Sequence, residues 1–205
     1  MLGTPIRPVL LFDLFGVIAR TQSEPDKRLL QGLGRAEPDT FWPAYWQRRR
    51  PYDLGQPARD YWTAVGNAVG TRYSRDEIQV LVEADIASWS RIDKAMVDYL
   101  QSLDAAGYQL GLLSNIPADL AERFEAEQPW LSLFAVRRFS CQTRQAKPDP
   151  AAYLGCAARL GCPLEQILFI DDREENVQAA RQLGLGGHTF ENLATLQACL
   201  EREPR

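Results

Sequence analysis

The chain has 205 residues, of which 45% are hydrophobic, and a formal net charge of −4 at pH 7. That length holds one domain with an insertion or two small domains. The acidic balance excludes a general nucleic-acid binder, which carries a basic surface, and no apolar stretch approaches the length that spans a bilayer.

In chain order, Val9 to Phe12 is apolar throughout rather than alternating, and reads as a buried parallel strand ending at Asp13. A turn containing Gly16 follows. Residues 19–92 read as helical. Phe41, Trp42, Tyr45 and Trp46 recur at helical spacing, as do Tyr61, Trp62 and Val65. Ser74 and Glu77 have capping-box spacing before an apolar-periodic stretch that ends near Trp89. The block reads as a small helical bundle with its own core.

After residue 92 the rhythm alternates. Ala95 to Ala106 reads as a helix stopped by Gly107, and Tyr108 to Ser114 as a strand. Pro117 opens the next helix. A weaker strand is expected near Phe139 to Cys141, and a helix within Pro148 to Leu160, ended by Gly161. Then come a strand from Gln166 to Ile170, a helix from Glu174 to Leu183, a short strand from Gly187 to Phe190 and a last helix. This alternation predicts an α/β fold, a three-layer Rossmann-like parallel sheet core with an inserted helical-bundle cap. The core takes residues 1–18 and 93–205, and the cap residues 19–92.

The four cysteines, Cys141, Cys156, Cys162 and Cys199, form no C-x-x-C pair, and no apolar leader precedes them. Reduced thiols in a cytoplasmic protein are expected. The single histidine, His188, has no Cys or His close in sequence, which disfavours a zinc centre or a Ser-His-Asp triad.

Four elements carry chemistry. Asp13 stands in Phe12-Asp13-Leu14-Phe15-Gly16-Val17, and Ser114-Asn115 follows Leu112-Leu113. Lys147 begins Lys-Pro-Asp-Pro, and Asp171-Asp172 is followed four residues on by Asn176. Ligands of open α/β sheets bind beyond the carboxyl ends of the strands, where Asp13, Ser114 and the acidic pair all fall. Gathered carboxylates repel one another unless a cation holds them. A carboxylate can attack phosphorus in line, a serine hydroxyl can hold phosphoryl oxygens, and a lysine can neutralise the developing charge. Carboxylates left over suit Mg²⁺, a hard cation that prefers oxygen.

These motifs, in this order, resemble the haloacid dehalogenase-like hydrolase superfamily, subfamily I with a C1-type helical cap, and the resemblance covers nearly the whole chain. It implies a Mg²⁺-dependent phosphatase of a small anionic, phosphorylated metabolite, working through an aspartyl-phosphate. Asp13 would be the nucleophile, with Lys147 also catalytic. Ser114, Asn115 and Gly16 would bind the phosphoryl group. Asp13, the backbone carbonyl of Phe15, Asp172 and Asp171 would ligate the metal, and Asn176 would support them from behind. No nucleic-acid or membrane partner is implied, and the oligomeric state is open.

One departure from the family pattern stands out. Family phosphatases usually carry a second Asp two residues after the nucleophile, which protonates the leaving group. Here that residue is Phe15. The loss of such an acid typically lowers rate by about 10²- to 10⁴-fold. An aromatic at this position is similar to the 2-haloacid dehalogenases, whose leaving halide needs no proton. A catalytically weak phospholigand-binding member is a third reading. Val17 and the acidic pair favour the phosphatase. Elsewhere, the Arg48–Arg50 run reads as a solvated face, with one member able to reach an anionic substrate tail. Asp149 reads as a helix cap, and the aromatics of the helical block as its core.

Overall fold

The computed structural model describes residues 8–202, so residues 1–7 and 203–205, assigned above to the core, lie outside the described residues. Strand β1 (Val9–Phe12) is followed by five helices: α1 (Glu24–Gly34), α2 (Pro38–Gln47), α3 (Arg49–Asp53), α4 (Ala58–Ala68) and α5 (Arg75–Trp89). The alternating part then runs α6 (Lys94–Ala105), β2 (Leu110–Ser114), α7 (Ala118–Glu127), β3 (Val136–Phe139), α8 (Ser140–Thr143) and α9 (Pro150–Leu160). It closes with β4 (Ile167–Asp171), α10 (Glu174–Gln182), β5 (Gly186–Thr189) and α11 (Leu193–Arg202). The five strands form one parallel sheet in the order β3-β2-β1-β4-β5.

The central strands β1, β2 and β4 are buried along their whole length, as continuous apolar runs in a covered parallel sheet should be. Successive side chains of β1 point to opposite faces. Leu10 and Phe12 join one apolar cluster, and Val9 and Leu11 join another on the side of α9 and α10. Helices therefore cover both faces of the sheet, as the three-layer reading predicts.

Local signals set the helix ends. Ser74 and Glu77 form the expected capping box, and Ser23 with Asp26 forms a second one before α1. Gly161 ends α9 in the left-handed conformation, φ +70°. The third strand lies at Val136–Phe139, earlier than the sequence suggests, and Ser140–Thr143 turns into a short helix. This edge strand carries Arg137 and Arg138 in place of an apolar run, which hid it.

The five inserted helices do not keep a core to themselves. Tyr45, Trp62 and Val65 belong to the same apolar cluster as Leu10, Phe12 and Phe124. Chain departure and return are stitched together. The Arg20 N–H donates to the Arg91 carbonyl at 2.7 Å, and the Asp93 N–H to the Ile18 carbonyl at 2.9 Å. Among the described residues, no helix is long and apolar enough to cross a membrane.

Candidate active site

Neighbouring strands β2, β1 and β4 bring their carboxyl ends to one edge of the sheet, with Ser114 closing β2, Asp13 following β1 and Asp171 closing β4. Lys147 reaches the same edge from the loop between α8 and α9. Its Nζ lies 2.6 Å from Asp13 Oδ1 and 2.7 Å from Asp171 Oδ2, and all three side chains are buried. Burial alone would lower the pKa of the ammonium, but Asp13 and Asp171 outweigh it and raise that pKa. The lysine is a fixed positive charge.

The two carboxyls beside it differ. Both oxygens of Asp171 are occupied by donors. They accept from Lys147 Nζ, from the Arg173 N–H at 2.8 Å and from Asn176 Nδ2 at 3.0 Å. Burial would raise its pKa, yet these donors outweigh burial and hold it below the usual range. Asp13 accepts the Leu14 N–H at 2.6 Å, but burial, followed by the charge of Asp171, pushes its pKa well above the ordinary value. Asp172 is raised by burial and by Asp171. Oxygens of Asp13, Asp171 and Asp172 lie within 4.8 Å of one another. One lysine cannot neutralise three carboxylates, and a divalent cation on hard oxygen donors fits the surplus.

Gly16 has a structural reason. Its φ is +83°, and a Cβ there would stand 2.2 Å from Asp172 Oδ2. The missing side chain makes room for that carboxylate beside Asp13. Asn115 borders the adjoining cavity, and its amide is engaged. Nδ2 donates to the Lys147 carbonyl and Oδ1 accepts the Lys147 N–H, each at 2.9 Å. These two bonds pin the lysine backbone, and they leave the second Nδ2 hydrogen of Asn115 beside the cavity. Ser114 does not border the cavity. It is fully buried, and its Oγ has no hydrogen-bond partner among the described residues. Such an orphan costs about 1–3 kcal/mol unless something else completes it.

A cavity of about 490 Å³ opens over Asp13, Lys147 and Asp172, and the helical block supplies Trp46 and Trp89 to its wall. Phe15 also borders it. The Phe15 ring stands edge-on between Trp89 of the block and Phe124 of α7, with centroids 5.2 and 5.8 Å away.

Two sequence expectations change here. Arg49 is no solvated residue. It is buried, with Nε 2.9 Å from Asp53 and Nη1 2.9 Å from Asp85 and 2.6 Å from the Tyr45 hydroxyl. A buried guanidinium needs such saturation. The signal available was Asp85, a carboxylate on the apolar stripe of Ile78, Leu81, Val82, Ile86 and Trp89. Asp149 stands at the N-cap position of α9 but makes no side-chain cap bond. Its carboxylate accepts from Arg50 Nη2 at 2.6 Å, joining the core to the helical block.

A parallel sheet that gathers an acidic cluster and a buried lysine at its carboxyl edge, under an inserted helical block, defines a class of carboxylate-based hydrolases. Comparison with known proteins narrows this. The family model for haloacid dehalogenase-like hydrolases matches residues 8–184, and the chain belongs to that family. It is 28% identical over 194 residues to flavin mononucleotide hydrolase 1 of Arabidopsis thaliana, covering 92% of this chain and 74% of that protein. It is 33% identical over 89 residues to the phosphoglycolate phosphatase of Salmonella typhi, but that match spans only 43% of this chain and 35% of the relative. Among solved structures, a family enzyme of Bacteroides thetaiotaomicron superposes with a TM-score of 0.77 at 21% identity, covering 93% of this chain and 98% of that one. The Bacteroides enzyme has also been crystallised with magnesium and inorganic phosphate. The L-2-haloacid dehalogenase of Xanthobacter autotrophicus superposes with a TM-score of 0.62 at 16% identity, over 97% of this chain and 84% of that one.

Proposed function

We propose that the chain is a Mg²⁺-dependent phosphatase of a small phosphorylated metabolite, with residues 19–92 acting as a cap over the site. The observation that carries this reading is the cluster of Asp13, Asp171 and Asp172, with Asp13 and Asp171 buried on Lys147, beside a cavity lined by Asp13, Lys147 and Asp172. Names of relatives agree, because one hydrolyses flavin mononucleotide and another phosphoglycolate.

Asp13 would attack phosphorus, forming an aspartyl-phosphate that water then hydrolyses. Lys147 keeps Asp13 in place and offers positive charge to the transferring group. Asp171, saturated by its donors, anchors the lysine. Asp13, Asp172 and the Phe15 carbonyl would hold the metal, with Asp171 close behind. Bound Mg²⁺ would supply charge that favours the ionised form of Asp13 and screens the incoming phosphoryl oxygens. The Ser114 hydroxyl, unpartnered among the described residues, lies behind the cavity lining at the end of β2, and it would take a phosphoryl oxygen that seats below that lining. A dehalogenase has no use for the acidic surplus, since carboxylates kept beside a carboxylate nucleophile without a cation raise its pKa and blunt it.

The test is phosphate release from sugar phosphates, nucleotides and short acyl phosphates, with Mg²⁺ or EDTA, beside Asp13→Asn. Release that requires both the metal and Asp13 is the expected result. No release from folded, Mg²⁺-loaded protein would overturn the reading.

A further inference from the structure

We infer that the phosphorylated compound cleaved here is an aryl phosphate, whose ring packs on Trp46 and whose oxygen departs without a proton from the enzyme. The inference rests on the phosphatase reading above and adds the chemistry of the leaving group.

The first observation is an aromatic surface leading from the nucleophile to the cavity rim. Phe15, two residues after Asp13, meets Trp89 edge-on at 5.2 Å, and Trp89 meets Trp46 edge-on at 6.2 Å. Trp89 is locked, because its Nε1–H donates to the Tyr45 hydroxyl at 3.1 Å. Trp46 also packs edge-on against Tyr45 at 4.8 Å. It is nevertheless 49% exposed. Among the described residues, the other large exposed apolar side chains, Leu29, Val80 and Leu154, do not border the cavity, whereas Trp46 does. A large uncovered ring on a cavity wall is a binding surface for a flat apolar group.

The second observation is independent and concerns protons. Beyond the acidic cluster, the carboxyls on the cavity wall are Asp53 and Glu175. Asp53 is held by Arg49 at 2.9 Å and Glu175 by Arg173 at 3.0 Å. Burial raises the pKa of Asp53 to about 6, so it is ionised at neutral pH. With Phe15 in the usual acid's position and both wall carboxyls held by arginines, a bridging oxygen that can leave as an anion suits the site. A phenolic oxygen, with a pKa of about 10, can do so. An aliphatic alkoxide is far more basic and needs the missing donor. In the step, an Asp13 oxygen forms a bond to phosphorus while the bond from phosphorus to the aryl oxygen breaks. The aryloxide carries off the electron pair and takes its proton from water. A second water then releases inorganic phosphate and restores Asp13.

The experiment measures kcat/KM on phenyl, benzyl and propyl phosphates for the full Mg²⁺-loaded chain and for Trp46→Ala, Trp46→Phe and Phe15→Asp. Phenyl phosphate should exceed benzyl phosphate by about 10²-fold or more. Trp46→Ala should cut the phenyl-to-propyl ratio about tenfold through KM, and Trp46→Phe should restore most of it. Phe15→Asp should speed the benzyl and propyl esters and so compress the phenyl advantage. Trp46 is at the surface, so its variants keep the test alive if Phe15→Asp does not fold. Wild-type cleavage of propyl and phenyl phosphates at equal rates, or an unchanged ratio in Trp46→Ala, overturns the inference and leaves the phosphatase reading standing. Absence of turnover on all three esters and on the broader panel overturns both.

Discussion

Lys147 Nζ sits between two carboxylates, 2.6 Å from Asp13 and 2.7 Å from Asp171. Both acids lie at the ends of adjacent strands, so the lysine is an electrostatic bolt across the middle of the sheet. Truncating one partner of a buried charge cluster leaves uncompensated charge and typically costs about 3–5 kcal/mol. Lys147→Met should therefore lose roughly that much stability in urea unfolding without metal. Lys147→Met with Asp171→Asn should lose less than the two single losses added, because the second change removes a charge the first strands.

Asn115 grips the lysine by its backbone with two 2.9 Å bonds. Asn115→Ala should leave the fold intact by circular dichroism and allow Lys147 to drift. A displacement of about 1 Å at a reacting group can cost about 10²-fold in rate. The expected outcome is a fall in kcat of that order, with a smaller change in KM.

Gly16 is the roof space of Asp172. A Cβ at this position would lie 2.2 Å from the carboxylate, on a backbone whose φ of +83° already resists L side chains. Gly16→Ala should weaken Mg²⁺ binding in calorimetric titration. It should also shrink the rise in melting temperature that saturating Mg²⁺ gives the wild type. Equal Mg²⁺ affinity in the variant would refute this account of the glycine.

Asp53 ties stability to pH. Burial sets its folded pKa at about 6, above the ordinary 3.8, despite the Arg49 pair. A raised folded value means the group favours folding fully below 3.8, and that this benefit disappears as pH rises through 6. Asp53→Asn lacks the titration. Between pH 4.5 and 7, the wild type should lose about 2 kcal/mol relative to the variant in urea unfolding.

Much of the site was legible because its residues follow apolar runs that announce buried strands. Asp13, Ser114 and Asp171 each sit at the end of one. What escaped is made by long-range geometry. Asn115 and Lys147 are neighbours through a fold, not through a spacing, and nothing local says that the amide is already engaged. Within the Arg48–Arg50 run, Arg50 is exposed and borders the cavity, and only Arg49 departs from the solvated reading, because the acid that buries it lies on another helix at Asp85. Strand β3 was displaced in the reading because edge strands tolerate charged residues that mask their pattern. The separate core expected for the helical block failed because apolar periodicity says which face is buried, but not what covers it.

The stitched segments on either side of the helical block also have a mechanical consequence. Arg20 bonds to Arg91 and Asp93 to Ile18, so the connection is a paired ribbon rather than two independent threads. A ribbon bends across its flat face and resists shear and lengthwise slip. With the shared apolar cluster and the Arg50–Asp149 pair, the ribbon keeps the block in register over the sheet edge, so Trp46 and Arg50 hold their places above the cavity together.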